Sequence, residues 1–266
     1  MLVEQIAVNN SLRNYMYLLA CPETREAVAI DPLDHASALQ CANKLGWSIR
    51  GVINTHEHHD HIGGNEQVIA ATGATLYAHE AARDKIPNVN VGLRAADAIQ
   101  VGTSVELIAL DTPGHTFCHT CLYYAGDKEQ TPALFCGDTL FNAGVGNCHN
   151  GGNPQVMYET FAQQIFRLPD ATRIYPGHDY IVNNLQFTLD REPDNDAAKS
   201  LLAAIEQWSG EQHFISNIAM EKLVNTFFRL QSEQVIAGLL EKFDELAAEP
   251  TEEQVFLKLR ELRNHW

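Results

Sequence analysis

Four histidines and two acids fill six consecutive positions, His56-Glu57-His58-His59-Asp60-His61, just after the apolar run Gly51-Val52-Ile53. Neutral imidazole is the commonest protein ligand for zinc-like ions, and carboxylates complete such sites. The order carries more information than the count. Alternate residues of an extended segment face the same way, so His56 and His58 can hold one ion. Asp60 and His61 follow on a turn and face a neighbouring point, which suits a second ion. Glu57 and His59 then point elsewhere, toward supporting contacts or solvent.

The same theme recurs three times. Asp111-Thr112-Pro113-Gly114 precedes His115, Gly137 precedes Asp138, and Pro176-Gly177 precedes His178. Each is a short apolar stretch, a glycine or proline-glycine turn, and a side chain able to bind metal. Such turns aim the residue that follows, and α/β folds place their chemistry at strand ends.

These residues need a scaffold. Alternation or apolar runs predict strands over 2–8, 15–19, 27–30, 49–54, 75–78, 104–110, 120–124, 133–136 and 173–175. Helical spacing predicts helices over 35–45 (with Gly46 as its cap), 66–71 and 154–168. Strands in two groups with helices outside imply two sheets packed face to face. Beyond residue 178 the pattern turns wholly helical: 185–191, 197–208, 220–228, 232–246 and 252–263. This places a boundary near 179, between a domain bearing the metal-capable residues (1–178) and a small helical domain (179–266).

Composition narrows the class. The chain has 266 residues, 45% of them hydrophobic and 20% charged, which suits a globular protein with a large core. No apolar run approaches the roughly 18 residues of a membrane helix. The N-terminus lacks a basic region followed by an apolar one, so a cytoplasmic protein with no membrane partner is expected. The net charge of −16 argues against nucleic acid as a partner, and an anionic substrate would need a local basic patch. Of six cysteines, only Cys118 and Cys121 are suggestively spaced, and no second pair completes a zinc ribbon; buried thiols are expected. There is no Gly-x-Ser-x-Gly elbow and no Gly-x-x-x-x-Gly-Lys loop. Gly144-Val145-Gly146-Asn147 lacks the context of a dinucleotide site, and its backbone is expected beside a ligand.

The motif His56-x-His58-x-Asp60-His61, followed by Gly63-Gly64-Asn65, resembles the metallo-β-lactamase superfamily. The surrounding residues look like glyoxalase II, the hydroxyacylglutathione hydrolases. That resemblance implies an αβ/βα four-layer sandwich with a C-terminal all-helical domain, the first (1–178) catalytic and the second (179–266) substrate-binding. It assigns His56, His58 and His115 to one divalent ion and Asp60, His61 and His178 to a second, with Asp138 bridging. Zinc is the first choice, with iron or manganese as substitutes. It also implies a hydroxide bridging the two ions as nucleophile, with Asp60 and Asp138 as the catalytic carboxylates that orient it.

The implied reaction is hydrolysis of S-D-lactoylglutathione to glutathione and D-lactate, in methylglyoxal detoxification. Asp138-Thr139-Leu140-Phe141 with Ala143-Gly144-Val145-Gly146 is similar to the family's loop beside the thioester. Tyr180, within Gly177-His178-Asp179-Tyr180, matches a glutathione contact. Arg260 and Arg263 fall where a basic pair holds the glycine carboxylate of glutathione; residues three apart share a helix face. Asn147, Cys148 and His149 stand where many members carry a lysine and a tyrosine. A monomer is the default expectation. Two other readings compete: a glutathione persulfide dioxygenase (or another hydrolase of this fold), which for the dioxygenase needs one redox iron, and a non-catalytic metal-bearing binding protein.

Overall fold

The computed structural model describes residues 1–208 and 213–266. Two six-stranded sheets face each other. The first runs in the order β1 (Leu2–Ala7), β2 (Tyr15–Ala20), β3 (Glu26–Ile30), β4 (Ser48–Ile53), β5 (Thr75–His79) and β6 (Val91–Leu93), antiparallel up to β3 and parallel from there on. The second contains β7 (Ala98–Val101), β8 (Val105–Asp111), β9 (Thr120–Tyr124) and β10 (Ala133–Gly137). A separate hairpin, β11 (Leu140–Phe141) and β12 (Gly144–Val145), follows β10. Then β13 (Arg173–Pro176) lies parallel to β10, and β14 (Ser216–Asn217) closes the far edge.

Strand alternation sorts the core into layers. On β2, Tyr15, Tyr17 and Leu19 face the second sheet and pack with Leu107, Leu122 and Phe135. Met16 and Leu18 face outward, beneath α1 (His35–Leu45) and α3 (Asn65–Thr72), where Ala38, Ala42 and Val68 cover them. Period-two patterning dictates this division. The outer face of the second sheet is covered by α4 (Pro154–Gln163) and by the helical C-terminal segment, through Phe161, Phe227, Val255 and Phe256. The layers are therefore helix, sheet, sheet, helix, with the expected helical segment beyond them.

That segment holds α5 (Ile181–Arg191), α6 (Asp196–Glu206), α7 (Ile218–Val224), α8 (Glu233–Leu240) and α9 (Glu252–Arg263). Several predicted boundaries shift. The helix expected over 154–168 stops at Gln163 and resumes as a 3₁₀ turn, Ile165–Arg167, because Gln164 leaves helical geometry (φ −129, ψ −61). The helix expected to Leu246 ends at Leu240, where the amides of Lys242 and Phe243 both turn back to Leu239. The short edge strands β6, β7 and β14 carry too few alternating residues to be read as strands. A one-turn helix, α2 (His59–Ile62), replaces the expected turn after His58.

All six cysteines are free thiols. Cys118 belongs to the cluster under α1 and α3, and Cys121 to the opposite one, so the two do not form a pair. Among the described residues no helix is long and apolar enough to cross a membrane.

Candidate metal centre

Four strand ends deliver the cluster. His56 follows β4, His115 follows β8, Asp138 follows β10 and His178 follows β13. The first turn of α2 adds Asp60 and His61, with His58 in extended geometry at its N-cap. Gly177 makes room for the approach: a Cβ there would lie 2.3 Å from Asp138 Oδ1.

Seven side chains separated by more than a hundred positions therefore meet in space. His58 Nδ1 lies 3.1 Å from His56 Nε2 and 3.0 Å from His115 Nε2. His61 Nε2 lies 3.3 Å from His178 Nε2, and Asp60 Oδ2 is 3.6 and 3.4 Å from those two nitrogens. Asp138 stands between the groups: Oδ1 is 3.4 Å from His61 Nε2, while Oδ2 is 3.2 Å from His178 Nε2 and 3.5 Å from His115 Nε2. Tetrahedral ligands at about 2.0–2.1 Å from zinc are roughly 3.3 Å apart, the spacing seen at both clusters.

The hydrogen bonds on the far side of each ring supply an independent test of fit. Nδ1 of His61 donates to Asp31, that of His178 to Leu12 O and that of His115 to Asn147 O. His58 donates through Nε2 to Asn150 O. Thr55 gives its own hydroxyl proton to Asp31, which leaves its oxygen to accept from His56 Nδ1. Every ring thereby spends its proton outward and presents a lone pair inward, as a metal-bound histidine requires. Lone pairs facing one another at about 3 Å call for a cation between them, and the ligand types suit divalent ions.

Charge is balanced in the same sense. Asp138 is buried, which opposes ionisation, yet His178, His61 and His115 hold its carboxyl well below the usual range; its Oδ1 has no hydrogen-bond donor among the described residues. Burial would lower His61, but Asp138, Asp31 and Asp60 outweigh it and raise it to about 9, so this point demands positive charge. Burial lowers His56 and His115, keeping those rings neutral.

Three supporting residues carry no motif in the sequence. Asp31 accepts from the Thr55 amide, the Thr55 hydroxyl and His61, so its oxygens are committed to holding the centre together rather than to an ion. It directly follows β3, the same position after a strand as the other acids and histidines, and that is its available signal. Asn14 donates to the backbone and carboxylate of Asp60. His119, fully buried, stacks on His56 with ring centroids 5.1 Å apart and accepts from the Asp138 amide. Glu57, turned away as expected, accepts from Lys85 and Thr116.

Beside the centre lies a cleft of about 280 Å³ bordered by Asn147, His149, Tyr180, Arg260 and Arg263. Tyr180 stacks on His178, centroids 4.9 Å apart and 5° from parallel, so cleft and centre share a wall. Cys148 turns away toward Met157 and packs in the core. The two arginines both border this cleft but are held differently. Arg260, 3% exposed, donates to Val145 O, Gly146 O and Asn264, whereas Arg263 lies over Phe187 and Trp266. Larger clefts, of about 510 and 550 Å³, open elsewhere and contain none of the seven side chains.

A helix-covered double sheet with histidines and aspartates at its strand ends defines a metallo-hydrolase scaffold, and the family pattern described as the metallo-beta-lactamase superfamily matches residues 12–178. A second pattern, the hydroxyacylglutathione hydrolase C-terminus, matches residues 179–266. Hydroxyacylglutathione hydrolases of Nitrosococcus oceani and a Polaromonas species are 56% and 57% identical, each covering 100% of both chains. The chain belongs to the hydroxyacylglutathione hydrolase family of that superfamily. Among solved structures, ETHE1 from Myxococcus xanthus is 26% identical with a TM-score of 0.67, covering 99% of this chain and 98% of its own. TTHA1623, described in a di-iron-bound form, is 26% identical with a TM-score of 0.53, over 66% of this chain and 92% of that one.

Proposed function

We propose that the protein hydrolyses S-D-lactoylglutathione and related S-2-hydroxyacylglutathiones, releasing glutathione and D-lactate. The observation that carries this reading is the shared wall: Tyr180 borders the basic cleft and stacks on His178, so a substrate anchored by its glutathione end lies against the metal centre. The full-length relatives bear the name of this activity.

His56, His58 and His115 would hold one divalent ion, Asp60, His61 and His178 a second, with Asp138 between them; zinc is preferred, with iron or manganese accepted by the same donors. Two ions so held would supply Lewis acidity, polarising the thioester carbonyl and lowering the pKa of a water. Asp60, about a quarter exposed and steered by Asn14, faces both His61 and His178 and would orient that water. The leaving thiol has a pKa near ~8.5, so it departs without a dedicated acid. Arg263 and Tyr180 anchor the glutathione portion; Asn147 and His149, exposed at the rim, add hydrogen bonds. The chemistry needs no second subunit, and six unpaired cysteines suit a reducing compartment such as the cytoplasm.

The test is loss of the thioester absorbance of S-lactoylglutathione, with metal content measured on the same sample. Two ions per chain and thioester turnover are expected. One iron per chain with oxygen consumption on glutathione persulfide would replace this reading with the dioxygenase, and no turnover by fully metallated protein would leave a binding protein.

A further inference from the structure

The segment 142–147 is gripped residue by residue. Asn184 donates to Asn142 O, Glu221 accepts from the Ala143 amide, Asn225 donates to Gly144 O, and Arg260 donates to both Val145 O and Gly146 O. The last carbonyl, Asn147 O, takes the outward proton of His115. Four side chains of the helical segment thus hold five consecutive residues, and the sixth sets the ring of a candidate metal ligand. The segment passes close to the centre: a Cβ at Gly146 would lie 1.8 Å from Asp138 O.

Glu221 is the unusual member of this grip. It lies on α7, is 0% exposed, and has three donors on its carboxylate: the Ala143 amide, Asn225 and the Ser216 hydroxyl. Burying a carboxylate without a cation is costly, and burial pushes Glu221 up to about 7 against the pull of those bonds. An acceptor-only group is nonetheless what three converging donors require. Ala143 itself has φ +58, a conformation that disfavours side chains, and the Glu221 bond holds it there.

We propose that Glu221 is a positioning residue for the hydrolytic site: reaching in from the helical segment, it latches residues 142–147, which wall the basic cleft and orient His115. The inference rests on the thioester reading for its kinetic arm only. Glu221 touches neither substrate nor metal; it acts through the Ala143 amide, with Asn225 as its partner.

Backbone amide hydrogen exchange on substrate-free protein tests the latch directly. In Glu221→Ala the amides of 142–147 should exchange at least about tenfold faster, with Glu221→Gln in between, while β2 and β3 stay as in the wild type. KM for S-lactoylglutathione should rise about tenfold and kcat should fall with it by more than about threefold, because the freed segment both walls the cleft and orients His115. Should Glu221→Ala not fold, Glu221→Gln and Asn225→Ser carry the same comparison. Asp34→Ala, which removes the cap of α1 on the outer face of the first sheet, is the control for general loosening. Unchanged exchange at 142–147, or acceleration spread over the molecule as in the control, overturns the proposal. Wild type that leaves the thioester intact would sink the functional reading, whereas the exchange arm judges the latch by itself.

Discussion

The two ends of the proposed substrate site are built on opposite principles. At the metal end, five imidazoles are each fixed by an outward hydrogen bond, and three of those bonds end on backbone carbonyls of Leu12, Asn147 and Asn150. The donors are set before anything binds. At the basic end, Arg260 is spent on holding backbone, and Arg263 rests on the faces of Phe187 and Trp266. One end is preorganised to within hydrogen-bond geometry; the other offers a cation whose position depends on how α9 is seated. The first should govern the reaction rate and the second the affinity.

Asp138→Ala should give the largest effect, since it removes the only side chain within reach of His61, His115 and His178 among the described residues. We expect kcat/KM to fall on the order of 10²–10³ or more, with metal content falling too. Affinity for glutathione, measured by calorimetry, should stay within about twofold because the basic end is untouched. A parallel loss of glutathione binding would mean that the two ends are not separable.

Next in size is Asp31→Ala, which leaves every proposed ligand in place. It strips the acceptor from His61 and from the Thr55 hydroxyl behind His56, so both rings lose their orientation. Loss of such a supporting partner costs about 10–100-fold in metal affinity or activity. Competition with a chelator, followed by metal analysis, reads this directly; affinity equal to wild type would show that the rings are held by packing instead.

The same contrast explains what could be read from the sequence. The clustering at the proposed metal end was legible because its side chains are spelled by spacing and by glycine or proline turns at strand ends. Asn14 was not legible: its role depends on the β1–β2 loop folding across to Asp60, and nothing in Asn9-Asn10-Ser11-Leu12-Arg13 encodes a partner 46 residues away. The different partners of the two arginines were not legible for a related reason. A spacing of three places two residues on one helix face, but side-chain direction follows what surrounds that face. The carbonyls of Val145 and Gly146 drew Arg260 inward. Similarly, helices with clear caps were read to the residue, as with Asp34 and Gly46 around α1, while unmarked ends such as Gln163 and Leu240 were overrun.

The arginines should therefore respond differently to the same substitution. Arg263→Gln removes a cation from the cleft and should raise KM about tenfold at unchanged kcat, because a remote anchor acts equally in ground and transition states. Arg260→Gln also frees the carbonyls of Val145 and Gly146, so kcat should drop together with the rise in KM. Identical behaviour of the two variants would restore the simpler picture of a matched pair gripping one carboxylate.

The smallest expected effect lies furthest from the chemistry. Both arginines ride on α9, whose first turn is fastened by a capping box: Thr251 accepts from the Gln254 amide, and the Gln254 side chain accepts from the Thr251 amide. Thr251→Ala should cost about 1 kcal/mol, the ordinary worth of such a cap, seen as a fall in melting temperature of roughly 2–4 °C. If α9 is seated mainly by Val255, Phe256 and Leu259, which are fully buried against the second sheet's outer cluster, then Arg263 keeps its place once the protein is folded. KM below the melting transition should then match the wild type. A raised KM at unchanged kcat would instead show that the cap helps to aim the cation, and that the basic end is set by the helix terminus as much as by its apolar face.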